Sequence, residues 1–160
     1  MDNKLIKNFI QQLNDLQDGS SWLDENFTKK LDSITEENAF IRPIPEIHSI
    51  AELVAHLLIW RQEGIKKLQV KKSKITSHSP ENWRTNKELK EIGWEKLKSD
   101  LFKSQQEVIN LIKNETDNFL LENDYVPGYS YKYLLEGWVH HDIYHLGQIG
   151  ITRKLLIETK

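Results

Sequence analysis

The amino-acid sequence predicts an all-α protein built as a four-helix bundle, and three observations support this fold class. Apolar residues recur every three or four positions in four separate segments, which is the period of amphipathic helices. No stretch alternates with period two for long enough to predict a convincing strand, although residues 119–126 are ambiguous. A chain of 160 residues also fits one domain, and we expect residues 1–160 to form it.

The first predicted helix is interrupted near residue 18. Its apolar residues keep the helical spacing from Leu5 to Leu16, and residues 18–21 then form a break of mostly short side chains. The spacing resumes in a second set of apolar residues: Trp22, Leu23, Phe27 and Leu31. We therefore expect a kinked or two-part first helix.

The second predicted helix has a clear start signal. Residues 42–45 contain two prolines, each of which disfavours the helical conformation in the residue before it, so this segment is a linker. Ser49 and Glu52 have the spacing of a capping box, in which each side chain satisfies a free N–H group of the first turn. We expect this helix to run from about Ile50 to Leu68.

Two further helices follow a polar stretch at residues 71–86. The third is predicted by an apolar face from Trp94 to Ile112. After a turn at residues 126–128, Ser130 is placed to cap a final helix. That helix should be about 40 Å long if it runs for some 27 residues.

Composition limits the classes of function and the compartment. The sequence has no cysteine, which excludes a thiol nucleophile, a cysteine-type zinc finger and a disulfide framework. The N-terminus has no signal-peptide core, and no apolar run approaches the roughly 20 residues of a membrane span. We therefore expect a cytoplasmic protein without a membrane partner.

Charge bears on nucleic-acid binding. The net charge is −2, and acidic and basic residues are interspersed, so no broad positive field is predicted. Residues 66–74 form one basic stretch, which we interpret as a solvated helix end and loop because no aromatic residue is interleaved for base stacking. From these observations we expect no nucleic-acid partner.

Three histidines are candidate metal ligands. His141 and His145 are four residues apart, so their rings lie one turn apart on one face of the final helix, together with apolar residues. His56 lies in the apolar middle of the second helix and is the candidate third ligand. Three histidines leave an open position for a ligand, as catalytic sites do. The alternative is that these are hydrogen-bonded structural histidines without a metal.

The other polar and aromatic residues near this pattern have simpler interpretations. His140 points about 100° away from His141 on a helix, and His48 and His78 lie outside helices, so we treat the three as non-ligands. Asp142 and Gln148 could orient a ligand, although Asp142 points about 100° from His141 and could simply be exposed, so a structural role is favoured for it. Further residues could line a pocket or act as a base but more often belong to the core or the surface: Trp138, Tyr144, Glu63 and Glu136.

Two segments resemble the signature stretches of the DinB-like, damage-inducible family. They are residues 48–57 and residues 141–149, the latter with the specific motif HDxYHxGQI, and the resemblance extends over nearly the whole chain. It implies that the metal ligands of the family correspond to His56, His141 and His145. It also implies an up-down-down-up four-helix bundle, often a homodimer, with a zinc or nickel ion near one end.

The resemblance favours one class of function and leaves a second open. It implies kinship with divalent-metal-dependent enzymes that transfer or isomerise small molecules with a low-molecular-weight thiol. The catalytic residues stay unassigned. The alternative is a non-catalytic, metal-stabilised dimeric module that responds to stress or binds a partner.

Overall fold

The computed structural model describes residues 3–72 and 74–158, and most of them are helical. The elements in chain order are α1 (Lys4–Gln17), α2 (Phe27–Leu31), α3 (Ile50–Leu68), a short 3-10 helix (Pro80–Trp83), α4 (Asn86–Ile92), α5 (Trp94–Ile112), α6 (Asp117–Glu122), β1 (Asp124–Val126), β2 (Tyr129–Ser130) and α7 (Tyr131–Glu158). Helix α3 packs against both α5 and α7. The core of buried apolar residues lies between these long helices.

The predicted bounds of the long helices are confirmed. Helix α3 begins at Ile50, and both hydrogen bonds of the capping box between Ser49 and Glu52 are present. Helix α7 has 28 residues, and the hydroxyl of Ser130 accepts the backbone N–H of Tyr133 at 3.3 Å. The up-down-down-up order of the helix directions stays a prediction.

The predicted restart of the first helix at Trp22 is wrong. Helix α2 has only five residues, Phe27–Leu31, and Trp22 is 96% exposed. The side chain of Asn26 caps α2 by accepting the backbone N–H of Lys29 at 2.8 Å. The helix therefore begins at Phe27, five residues after the predicted restart at Trp22.

A small β-ribbon interrupts the otherwise helical fold. Strands β1 and β2 pair antiparallel around Gly128, which has a φ of +83°. A positive φ is readily available to glycine and strained for other residues. Strand β1 lies in the segment 119–126, whose sequence pattern was ambiguous, and β2 follows that segment.

The approach of α3 to α7 depends on Gly64. A Cβ atom at this position would lie 1.9 Å from Cζ2 of Trp138, so only a glycine lets the indole lie against α3. This contact holds the two helices together about two turns from His56 on α3 and about one turn from His141 on α7.

In the described part of the chain, no helix is both long enough and apolar enough to cross a membrane.

Candidate metal centre

Three imidazole rings converge between α3 and α7. Nε2 of His141 lies 3.1 Å from Nε2 of His56 and 3.0 Å from Nε2 of His145. The ligand atoms of the three rings all lie within 4.8 Å of one another. We call these residues the histidine cluster.

Hydrogen bonds on the outer side of two rings fix which nitrogens face the cluster. Nδ1 of His56 lies 3.0 Å from the backbone carbonyl oxygen of Asn82, and an oxygen of that kind only accepts. Nδ1 of His145 lies 2.6 Å from Oε1 of Gln148. Both Nδ1 atoms therefore carry the proton, and the Nε2 lone pairs of His56 and His145 point inward.

This arrangement matches the donor set of a divalent metal ion. Without an ion, Nε2 of His141 could carry one proton and donate it to either His56 or His145. At the other of these two contacts, two nitrogen lone pairs would then face each other and repel. A cation instead accepts all three lone pairs. In a tetrahedral site with metal–nitrogen bonds of about 2.0–2.1 Å, ligand nitrogens lie roughly 3.3 Å apart, close to the 3.0 and 3.1 Å found here.

The surroundings keep the histidines neutral. Burial, together with the charges of the neighbouring imidazoles, lowers the pKa of His141 to about 3 and that of His145 to about 4. The pKa of His56 is also lowered, chiefly by burial, although its contact with Asn82 opposes the shift. Neutral imidazole is the form that binds metal, so the cluster is prepared for a cation at neutral pH.

Trp83 lies between two histidine rings. Its indole stacks on His56 with ring centroids 4.0 Å apart, and on His48 with centroids 3.9 Å apart. His48 is outside the cluster, as predicted, and its Nδ1 lies 3.4 Å from Oε2 of Glu52. The 3-10 helix thus contributes both the carbonyl that orients His56 and a ring that covers it.

Sequence reasoning missed the contributions of Asn82 and Trp83. The Asn82 side chain is itself held in place, because its amide donates to the carbonyl of Ser77 at 2.9 Å and its Oδ1 accepts the indole N–H of Trp60 at 2.7 Å. The only signal in the sequence was Ser79-Pro80, which is typical of a helix start with proline at the first position.

Asp142 is buried in an ion pair, which fits the favoured structural role, and the possibility that its side chain is exposed is wrong. Its carboxylate accepts Nη2 of Arg61 at 2.6 Å, and both side chains are at most 4% exposed. Burial raises the pKa of Asp142, and the adjacent guanidinium opposes that shift. Arg61 also donates to the carbonyl of Leu101 at 3.1 Å, so the ion pair joins α3, α5 and α7 beside the cluster.

The two glutamates considered as bases have structural contacts instead. Glu63 is fully buried and accepts the backbone N–H of Lys74 at 3.1 Å, besides pairing with Lys66. Glu136 pairs with Lys132 on the outside of α7. His140 and His78 are exposed and do not take part in the cluster.

A cleft of about 270 Å³ adjoins the cluster at His141. We call it the aromatic cleft, and its lining includes Trp60, Lys67, Tyr125, Tyr133, Trp138 and His141. Trp138 is mainly a core residue, 7% exposed, whereas Tyr144 is 63% exposed and lies outside this lining. The cleft brings solvent-accessible space to the edge of the histidine cluster.

Comparison with known proteins identifies the family. A family model described as the DinB superfamily matches residues 21–149, which is most of the chain and includes all three histidines of the cluster. No curated protein matches the chain significantly.

The fold is shared with a solved structure. A crystal structure of the colibactin self-resistance protein ClbS in complex with a double-stranded DNA superposes with a TM-score of 0.60 at 18% sequence identity, covering 94% of this chain and 92% of that one. This finding overturns the expectation that nucleic acid is excluded as a partner, because a protein of this fold has been solved with DNA. The expectation rested on the low net charge and on the absence of aromatic residues from the basic stretch 66–74, and neither excludes contacts between a local cluster of lysines and DNA phosphates.

Proposed function

The chain belongs to the DinB superfamily, and we propose that it is a divalent-metal-dependent enzyme of the thiol-dependent transferase or isomerase type, acting on small molecules. The observation that carries this proposal is the convergence of three Nε2 lone pairs from His56, His141 and His145. Zinc or nickel is the ion we propose, since imidazole suits both. The proposed compartment is the cytoplasm.

The proposed chemistry follows from the number of protein ligands. Three histidines leave a position open, and an ion held there lowers the pKa of a thiol or water and so supplies an anion at neutral pH. The thiol is a cosubstrate, because the protein has no cysteine.

The residues around the cluster have defined roles in this proposal. Asn82 and Gln148 hold the rings of His56 and His145 with their Nε2 atoms inward. Trp83 covers the outer face of His56 and limits the access of water from that side. The aromatic cleft receives the second substrate, since it ends at His141.

Metal content per chain tests the ligand assignment. We expect His56→Ala, His141→Ala and His145→Ala each to lose most of the metal, because each removes one of three ligands. His140→Ala is the matched control, since it removes an exposed histidine of the same helix. Elemental analysis of untagged protein gives the readout, and retention of metal by His141→Ala with its loss in His140→Ala would refute the proposed ligand set.

Thiol consumption tests the enzymatic part. The metal-loaded protein is incubated with a panel of low-molecular-weight thiols and electrophiles, and we expect turnover by the wild type that His145→Ala lacks. No turnover across the panel would favour the alternative, a non-catalytic, metal-stabilised dimeric module.

A second candidate function is binding of double-stranded DNA, and the complex of ClbS with DNA favours it. Lys71, Lys72 and Lys74 are exposed in the loop after α3 and are the proposed contacts. Fluorescence anisotropy with a labelled duplex should then show affinity that falls with salt and with a triple lysine-to-glutamine substitution. Equal affinity of wild type and variant at low salt would exclude this loop as the contact surface.

A further inference from the structure

The aromatic cleft contains a single formal charge. Lys67 is its only lysine or arginine, and no aspartate or glutamate is among the described residues that line it. Aromatic rings make up most of the remaining wall, with Trp60 and Trp138 from α3 and α7. A cleft of this kind complements a ligand that is apolar and flat over most of its surface and carries one negative charge.

The Lys67 ammonium is held over the cleft without an acidic partner. Its Nζ lies 4.8 Å from the ring centroid of Tyr125, a cation–π contact that the β-ribbon provides. It forms no ion pair with any residue in the described part of the chain. The charge of Glu63 acts on Lys67, but the Glu63 carboxylate itself pairs with the neighbouring Lys66.

Burial makes this cation more receptive to an anion. Lys67 is half-buried, and burial lowers its pKa while the charge of Glu63 raises it. A cation that has lost part of its hydration gains more from an opposite charge than a solvated one does, because the local dielectric is lower. Tyr125 adds a phenolic O–H, a further hydrogen-bond donor, to the lining of the cleft, and burial raises its pKa.

We infer that the aromatic cleft binds a planar aromatic acid, with its anionic group at Lys67 and its ring system against Trp60 and Trp138. The volume of about 270 Å³ accommodates a bicyclic ring with one carboxylate. This inference rests on the proposed function, because His141 at the end of the cleft is what makes the occupant a substrate. The binding step itself requires no metal ion.

Gly137 keeps the cleft open. It lines the cleft on α7, and a Cβ atom built there meets no heavy atom within 4 Å, so a larger side chain would enter the open space without a clash. Gly147 has the same open surroundings on the same helix but does not line the cleft. The two glycines therefore form a matched pair for a blocking experiment.

The charge is tested by calorimetric titration of the full-length, metal-free protein with 2-naphthoate and with the neutral 2-naphthalenemethanol. We expect Lys67→Met to weaken naphthoate binding at least tenfold and to change binding of the alcohol less than twofold. Lys67→Arg should retain naphthoate binding within about threefold. Lys72→Met removes an exposed lysine outside the cleft and should bind both compounds as the wild type does. Equal weakening by the two methionine variants, or no binding of naphthoate to the wild type, would overturn the inference.

The location is tested by filling the cleft. Gly137→Leu should abolish binding of both compounds, whereas Gly147→Leu should leave both unchanged, and this test keeps Lys67 in place. Binding to Gly137→Leu at wild-type affinity would overturn the inference. His145→Ala should still bind naphthoate in the metal-free state. An incorrect set of metal ligands would therefore appear in the metal content and not in naphthoate binding, whereas an incorrect cleft assignment would appear in naphthoate binding alone.

Discussion

His145 is oriented by a short chain of side chains along α7. Its Nδ1–H donates to Oε1 of Gln148 at 2.6 Å, and the amide of Gln148 donates to the hydroxyl of Tyr144 at 3.2 Å. An outer partner of this kind fixes the tautomer of a ligating histidine and raises its basicity. Gln148 therefore contributes to the cluster although it does not face it.

We predict that Gln148→Ala lowers zinc affinity by about 10–100-fold, since the Nδ1–H of His145 loses its acceptor. Tyr144→Phe should have a much smaller effect, because it removes only the second link of the chain. Competition with a chromophoric chelator measures both affinities. A Gln148→Ala affinity within twofold of the wild type would show that the contact does not orient the ligand.

Gln105 is a buried amide without a partner. Its side chain is 1% exposed, and neither its Nε2 nor its Oε1 has a hydrogen-bond partner among the described residues. An unsatisfied buried polar group costs about 1–3 kcal/mol. We predict that Gln105→Met raises the free energy of unfolding by an amount in this range, measured by urea denaturation.

Gln106→Met is the matched control for this change. It makes the same substitution at the next, exposed position of α5, so it should leave stability within about 0.5 kcal/mol of the wild type. A destabilised Gln105→Met protein would indicate that the amide has a polar partner in solution.

At the scale of residues, the convergence of His56, His141 and His145 was predicted better than the contacts that surround them. His141 and His145 could be predicted to lie together because helical spacing alone places their two rings on one face. Asn82 contacts His56 through its backbone carbonyl. Every residue type has this group, so the sequence does not indicate such a contact. The burial of Asp142 was missed because its partner, Arg61, is 81 positions away in sequence.

At the scale of elements, the contact between α3 and α7 determines whether the cluster forms. Gly64 permits the close approach of Trp138, and the same contact aligns His56 with His141. Elsewhere a glycine inside a helix is unfavourable by about 1 kcal/mol relative to alanine. At Gly64 the steric requirement outweighs that preference.

We predict that Gly64→Ala destabilises the protein by about 1–3 kcal/mol, because the added methyl group overpacks the interface with Trp138. Gly147→Ala should instead stabilise it by about 0.5–1 kcal/mol, since its surroundings are open and alanine favours the helix. Thermal or urea denaturation of the two variants measures both changes in stability. Stabilisation by both would mean that the indole moves aside without cost.

The beginnings of α3 and α7 were predicted from local caps, whereas the beginning of α1 was predicted from its apolar spacing alone and its capping partner was missed. Ser49 and Ser130 cap their own helices, so the beginnings of α3 and α7 could be predicted. The N–H groups of Leu5 and Ile6 in α1 are instead satisfied by the carboxylate of Asp117, at 3.1 Å each. Asp117 is more than 100 positions away in sequence, so no local pattern predicts this contact.

At the scale of the whole molecule, the neutral cluster makes stability depend on pH. The pKa values of His141 and His145 are about 3 and 4 in the native state, against about 6.5 in an unfolded chain. Below pH 6.5 the unfolded state therefore binds more protons, and protonation favours unfolding.

We predict that the metal-free protein loses stability as the pH falls from about 6.5 toward 4, by at most about 1.4 kcal/mol per pH unit for each histidine. Urea denaturation of chelator-treated protein at several pH values gives the slope. His145→Gln should have a shallower slope between pH 6.5 and 4, whereas His78→Gln, at an exposed position, should match the wild type. Identical slopes for the wild type and His145→Gln would contradict a depressed pKa at that residue.

The stacking of Trp83 between His48 and His56 gives the protein an internal optical signal. Indole emission is sensitive to an adjacent imidazole and to the charge that this ring carries, so Trp83 should change its fluorescence when the ring of His56 gains a proton or a metal ion. We predict that zinc titration alters the emission of the wild type, that Trp83→Phe abolishes most of that change, and that Trp22→Phe, at an exposed position, preserves it. The occupancy of the cluster would then be readable in real time, without a label and without a known substrate.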